Sequence, residues 1–184
     1  SGNPVFMPQK TLGRVNRTQL YFKDRAKFLS MITREIRNHE ILCKKYDLKP
    51  VIRLNTTSDI MWENHKIMEL FPKTQFYDYS KHFKRMLKYL KGDMPKNYHL
   101  TFSRNEANDF QSTQVLKAGG NVAVVFRKEL PETYKGFKVI TGDEHDLRFL
   151  DQKNVVVGLK EKLSLNKKTG KLDRDKSGFV VDLK

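Results

Sequence analysis

The sequence is short of several things, and each shortage removes a class of protein. Its one cysteine, Cys43, rules out an internal disulfide framework and any multi-cysteine metal site within the chain, which fits a reducing compartment. Cys43 has neither a CxxC partner nor a histidine in a recognisable motif, and reads as a small helix residue. Long apolar runs are missing too. The run 121–126 falls far short of the roughly 18 to 20 residues that cross a bilayer, and the N-terminus has no secretory apolar segment. There is no GxGxxG, P-loop, HExxH or GxSxG, so dinucleotide, NTP, zincin and serine-hydrolase chemistry lose their usual sequence support. Acids are scarce: 21 Asp and Glu against 36 Lys and Arg leave a formal charge of +15. Such an excess attracts polyanions, of which nucleic acid is the commonest in a cytosol. A surface whose charge only confers solubility would look the same by composition.

What remains fits one domain, since 184 residues fill one core with short extensions. Residues 1–13 lack a hydrophobic period and begin Ser-Gly without Met, so they read as an N-terminal extension or the cut end of a longer protein. Residues 14–160 read as an α/β core. From Asp24, an N-cap, to about Asp47, the positions Phe28, Leu29, Ile32, Ile36 and Leu42 recur at near-helical spacing. Residues 50–54 read as a buried strand and 55–59 as a polar loop whose Ser58 or Asp59 caps a helix running to about Leu70. The pattern repeats with strands at 74–79 and 98–102, helices at 81–90 and 105–118, and a Gly119-Gly120 stop. Three further strands follow at 121–126, 137–141 and 154–159, with connections too short for full helices after the first. The fold class expected is therefore α/β, with a partial or irregular (β/α) barrel-like parallel sheet of six or more strands; an open doubly wound sheet fits the same runs. Residues 161–184 read as a basic hairpin or a strand packed on the core.

In parallel α/β folds, loops leaving the carboxyl ends of the strands converge on the site. Those loops carry Arg53, Asn55, Ser58 and Asp59, then Asp78, Tyr79 and Lys81, then Ser103 and Arg104, then Asp143, His145, Asp146 and Arg148. Asp59, Asp78 and Asp143 are the candidate proton-handling groups; Arg53, Asn55, Ser58, Tyr79, Lys81, Ser103, Arg104 and Arg148 are the candidate ligand contacts. Arg53 and Asp78 are the more telling, because a charge at the end of an apolar strand must be paired or useful. Helix capping and turn formation account for Ser, Asp and Asn at the same places. Asp143 and Asp146 flank His145 and could bind a hard cation or steer a general base, but a solvated turn pairing Asp143 with Arg148 is the plainer reading. Neither a metal set nor a cofactor is identified. Trp62 reads as core.

A second feature is a basic stripe. Lys81, Lys84, Arg85, Lys88 and Lys91 recur every three or four residues, which puts them on one helical face with Phe83, Met86, Leu87 and Leu90 inward. Such a face suits phosphates.

Arg53-Leu-Asn55, Thr57-Ser-Asp59, Trp62-Glu63, Phe76-Tyr-Asp-Tyr-Ser-Lys81, Asn97-Tyr-His-Leu-Thr-Phe-Ser-Arg104, Gly120-Asn-Val-Ala-Val-Val-Phe126, Gly142-Asp143, Asp146-Leu-Arg-Phe149 and Val156-Val-Gly-Leu159 together resemble the phage "gene product 88"-like proteins. The likeness runs in order through about residues 14 to 182. It implies a phage or mobile-element origin, hence the cytoplasm of a bacterial host, and a shared site rather than a reaction. Longer relatives carry a cysteine-rich segment upstream, suited to a metal or iron–sulfur site, and this chain lacks those cysteines. Two readings follow. The first is a protein that binds or processes nucleic acid through the stripe, the basic tail and the strand-end residues. The second is an enzyme on a small anionic or phosphorylated metabolite, clamped by Arg53, Lys81 and Arg104.

Overall fold

A computed structural model describes residues 8–165 and 172–183. The first seven residues of the expected N-terminal extension and the tip of the expected C-terminal hairpin, 166–171, lie outside them. The order is α1 (Pro8–Lys23), α2 (Arg25–Lys45), β1 (Val51–Ile52), a 3-10 turn (Trp62–His65), α3 (Ile67–Leu70), β2 (Gln75–Ser80), α4 (Phe83–Lys91), β3 (Tyr98–Ser103) and α5 (Asp109–Lys117). There follow β4 (Val122–Phe126), β5 (Thr133–Tyr134), β6 (Phe137–Thr141), a second 3-10 turn (Arg148–Leu150), β7 (Val156–Lys160), β8 (Ser164–Leu165), β9 (Leu172–Asp173) and β10 (Val180–Val181).

Eight strands form one mostly parallel sheet in the order β1-β2-β3-β4-β7-β6-β5, with β10 pairing β4 beyond the end of β3. β5 alone of these runs antiparallel, joined to β6 by Lys135-Gly136, both at positive φ as a two-residue hairpin requires. β8 and β9 pair antiparallel as a separate ribbon. The chain is thus α/β with an irregular sheet, as expected, and its strand order is open.

Side chains alternate between the two faces of each strand. Phe76, Leu100, Phe102, Val122, Val124, Phe126 and Val156 point to the face covered by α4 and α5 and form the core with Met86, Val115 and Leu116. The β6–β7 connection crosses the other face, and its 3-10 turn packs on β3. Parallel strands buried this way read as continuous apolar runs. β7 lies between β4 and β6, so its neighbours leave little room: a Cβ on Gly158 would come within 2.8 Å of Val139 Cγ1 and 2.9 Å of Leu130 Cδ2. Gly158→Val is expected to cost about 1–3 kcal/mol by overpacking, read as a fall of roughly 5 °C in Tm.

Four local differences have physical causes. α1 begins at Pro8, inside the segment that showed no period; proline suits a first helical turn, where its missing N–H costs nothing. Asp24 does cap α2, accepting from the Lys27 N–H at 2.9 Å. The helix expected from 59 to 70 is instead a 3-10 turn and a short α3, separated by Lys66 at φ 53°. Its expected caps are occupied elsewhere: Asn55 Oδ1 gathers Ser58 Oγ and the N–H groups of Ile60 and Trp62 Nε1, while Asp59 turns toward Arg85. α5 starts at Asp109, not 105, because Asn105 and Asn108 each accept the other's backbone N–H in a closed turn. It ends as expected, with Gly119 at φ 87° and the Gly120 N–H on Val115 O at 2.9 Å.

Candidate functional site

Parallel pairing brings the carboxyl ends of β1, β2, β3, β4, β6 and β7 to one edge of the sheet. The strand-end residues therefore share an edge, but they divide into separate groups.

The first group is buried. Asp78, fully inaccessible on β2, accepts the Asn55 N–H at 2.7 Å, Asn55 Nδ2 at 3.2 Å and the Tyr98 hydroxyl at 2.8 Å. Burial pushes its pKa up to about 6, partly offset by the bonds from Asn55 and Tyr98. The Tyr98 hydroxyl in turn accepts from Arg85 Nη2 at 2.6 Å. Arg85 is the hub. Its Nε and Nη2 fork onto Glu63 at 2.9 and 2.7 Å, and Nη1 donates to Asp59 at 2.8 Å. Burial works against its charge, yet the bonds to Glu63 and the fields of Tyr98, Glu63 and Asp59 hold its pKa above the ordinary value. The other Asp59 oxygen accepts Ser80 Oγ at 3.1 Å and the Lys81 N–H at 2.8 Å. Every carboxylate here is spoken for. Asp59, Asp78, Asn55 and Ser58 do come together, in a network that closes the β1–β2 connection over the strand ends.

Arg85 thus departs from the basic stripe. At about 100° per residue, Lys84, Lys88 and Lys91 fall within about 60° of one another, while Arg85 lies on the flank shared with Met86 and Tyr89. It is buried like Met86, and Lys84, Lys88 and Lys91 are exposed. Lys81 precedes the helix, is exposed, and sets its ammonium 5.6 Å from the centre of the Phe179 ring. Among the described residues none of these four lysines enters an ion pair.

The second group sits on the opposite sheet face. Arg53 lies over the Tyr79 ring at 4.6 Å and pairs with Asp146 at 2.6 Å, and the Tyr79 hydroxyl donates to the same carboxylate at 2.9 Å. The β6–β7 connection thereby reaches back to β1. Burial, reinforced by the Asp146 charge, drives the Tyr79 pKa well above its usual value. Arg148, from the same connection, is fully buried against His145 and 3.3 Å from Asp151. That contact is too poorly aligned to count as a hydrogen bond, and Nε, Nη1 and Asp151 Oδ2 have no bonded partner. Burial, then the Arg148 charge, lowers the His99 pKa to about 4.

The remaining candidates stand apart. Arg104 is tied to Asp109 at 3.1 Å and to the carbonyls of Gly178 and Phe179 at 2.6 and 2.8 Å, fastening the C-terminal segment. The Ser103 carbonyl accepts from Asn108. Asp143 is exposed at the β6–β7 end, where it accepts the Lys160 N–H at 3.2 Å, so it joins neither Asp59 nor Asp78. Its expected partner Arg148 turns instead to His145 and Asp151. Residues that sequence reasoning passed over are Glu63 and Tyr98, which complete the buried network, and Asp146 as the partner of Arg53; the unpaired-looking charge at Asp78 was the signal that partners had to exist.

An iron–sulfur or metal centre finds no ligand set in these residues. Cys43 is buried against His39 on α2, and no group of three or more His, Cys, Asp or Glu able to hold a metal occurs among the described residues. No described helix is long and apolar enough to cross a membrane. No curated protein and no solved structure matches the chain. The Gene product 88 family model, by contrast, matches residues 1–183, and the protein belongs to that family.

Proposed function

We propose that this Gene product 88 protein binds nucleic acid, with Lys81, Lys84, Lys88 and Lys91 holding phosphates. The observation that carries the reading is the division of charge around α4. Arg85, the one cation of the stripe with acidic partners, is buried, and the four lysines stand exposed without an ion pair among the described residues. Like charges three and four apart on a helix repel by a few tenths of a kcal/mol per pair, and a bound polyanion relieves that cost. The net charge of +15 supplies a long-range attraction of the same sign.

The small-anion enzyme reading has less support. Of its three clamping cations, Arg53 is neutralised by Asp146 and Arg104 is consumed by Asp109 and two carbonyls. The acids set to move protons are saturated with donors at Asp59 and Asp78.

The test is binding of a labelled single-stranded oligonucleotide at two salt concentrations. With four phosphate contacts on a single strand, affinity should fall by roughly 50-fold between 50 and 200 mM salt. No binding at the lower salt would reject the reading.

A further inference from the structure

A cleft whose lining includes neither the α4 lysines nor Asp59, Glu63 or Asp78 flanks the buried network on the side of Ser58 and Trp62. It has a volume of about 960 Å³ and opens between the α1/α2 pair and the loop that follows β1. We infer that this cleft is a binding site for a nucleoside phosphate unit, gripped through its phosphate by Arg14 and Arg17 and through its base by Phe22.

Charge is the first argument. Arg14, Arg17 and Arg53 line the cleft, against a single carboxylate, Glu35. Arg53 is already paired with Asp146, but Arg14 and Arg17 enter no ion pair among the described residues. Nor does the chain hold any acid before Asp24 to neutralise them. Two guanidinium groups one helical turn apart favour a ligand with more than one negative charge, and a phosphate supplies both the charge and the oxygens that the planar fork engages in pairs.

Shape is the second. Gly13 lines the cleft within α1, where glycine costs about 1 kcal/mol relative to alanine. The Arg17 guanidinium lies over it, with Nη1 3.5 Å from the place a Cβ would take, an ordinary van der Waals contact. Part of the lining is apolar: Phe28 and Trp62, both buried, stack at 6.1 Å with ring planes 23° apart.

The rim supplies the third. Phe22 lines the cleft yet is 73% exposed. Its neighbour Tyr21 touches it edge-on at 5.3 Å, and the Tyr21 face is taken by Arg25 at 4.6 Å. Phe22 is therefore the aromatic face left open to a planar ring, and base stacking on such a face is tolerant of sequence. Thr56 and Thr57 on the facing loop offer hydroxyls to a sugar.

The same chemistry is presented by a free mononucleotide and by one unit of a single strand. The site is independent of the α4 lysines, and the test separates the two. Fluorescence anisotropy with a labelled 5′-phosphorylated mononucleotide, then with a labelled decanucleotide, would be run on wild type, R14Q/R17Q, F22A and K84Q/K88Q/K91Q. Circular dichroism would check that each variant is folded; all the changed positions but Arg14 are exposed. R14Q/R17Q and F22A should each weaken the probe that binds by about tenfold or more, and K84Q/K88Q/K91Q should leave the mononucleotide unaffected. Mononucleotide binding with these losses assigns a free nucleotide; decanucleotide binding alone with these losses assigns a strand. The inference is overturned if neither probe binds up to millimolar concentration, or if binding ignores F22A, which would leave a mere anion site.

Discussion

Arg85→Ala is expected to lower Tm by roughly 10 °C or more, while Lys84→Ala, one position earlier on α4, moves it by about 1 °C. The Arg85 side chain is 1% exposed and satisfies Glu63, Asp59 and Tyr98 together. Removing it leaves two poorly solvated carboxylates facing each other with no counter-charge, a loss of about 3–5 kcal/mol. Lys84 is exposed and touches none of them. Arg85→Lys should recover part of the loss and no more, because one ammonium cannot fork onto Glu63 and still reach Asp59. Thermal unfolding followed by circular dichroism decides it; a fall under 3 °C for Arg85→Ala would mean the network is not structural.

Asp78→Ala should be as damaging, about 3–5 kcal/mol, since three donors that now point at one buried carboxylate would be stranded. A strand-end acid that served only a ligand would be dispensable for folding, whereas loss of Asp78 should make the protein unfold more readily. Asp78→Asn keeps the shape and gives a sharper, pH-dependent signature. The folded pKa of about 6 lies above the ordinary 3.8, so between those values the native state holds a proton that the unfolded chain has lost. Stability from this group is complete below pH 3.8 and disappears as pH rises through 6. Its full size is on the order of 3 kcal/mol. His99, with its pKa lowered to about 4, acts in the opposite sense: its contribution is present above pH 6.5 and is lost as pH falls through 4. The Asp78 and His99 contributions therefore oppose each other between about pH 4 and 6. Asp78→Asn removes the Asp78 contribution and leaves the histidine one, so wild-type stability minus variant stability should rise as pH falls from 7 to 4.5. Urea unfolding at pH 4.5 and pH 7 reads this directly, and a signed difference that falls toward pH 4.5 would contradict the assignment.

How much of this was legible in the sequence depends on how local each cause is. The strands β2, β3, β4, β6 and β7 were legible because a parallel sheet buried on both faces writes itself as apolar runs such as Val122–Phe126. Asp24 and Gly119 mark helix ends through bonds within a few residues, and both read correctly. β5 is a two-residue strand that exists because a hairpin turn pairs it with β6, so no run announces it. The expected helix from 59 to 70 failed because capping residues were assigned by proximity in sequence, while Asp59 found Arg85, 26 residues away. The site shows the same pattern. Arg53, Asn55, Asp59 and Asp78 were picked out as charged or polar groups at strand ends, which is where they are, but their partners lie 20 or more positions off: Tyr98 for Asp78, Glu63 for Arg85, Asp146 for Arg53. Without partners, a buried structural carboxylate and a catalytic one look alike. Arg85 was grouped with the lysines by spacing alone, although its angular position already leaned toward Met86.

The arrangement assigns the two kinds of charge to different work. Acids and arginines at the strand ends consume one another and hold the β1–β2 connection, the C-terminal segment and the β6–β7 connection in place. Lysines on α4 stay outside that exchange. The most direct test of this division is the slope of log affinity against log salt for a single-stranded oligonucleotide, measured on wild type and on K84Q/K88Q/K91Q. Four phosphate-bound lysines give a wild-type slope of about −3, and removing three should bring it to about −1 with Tm held within about 2 °C. An unchanged slope in a folded triple variant would contradict the account.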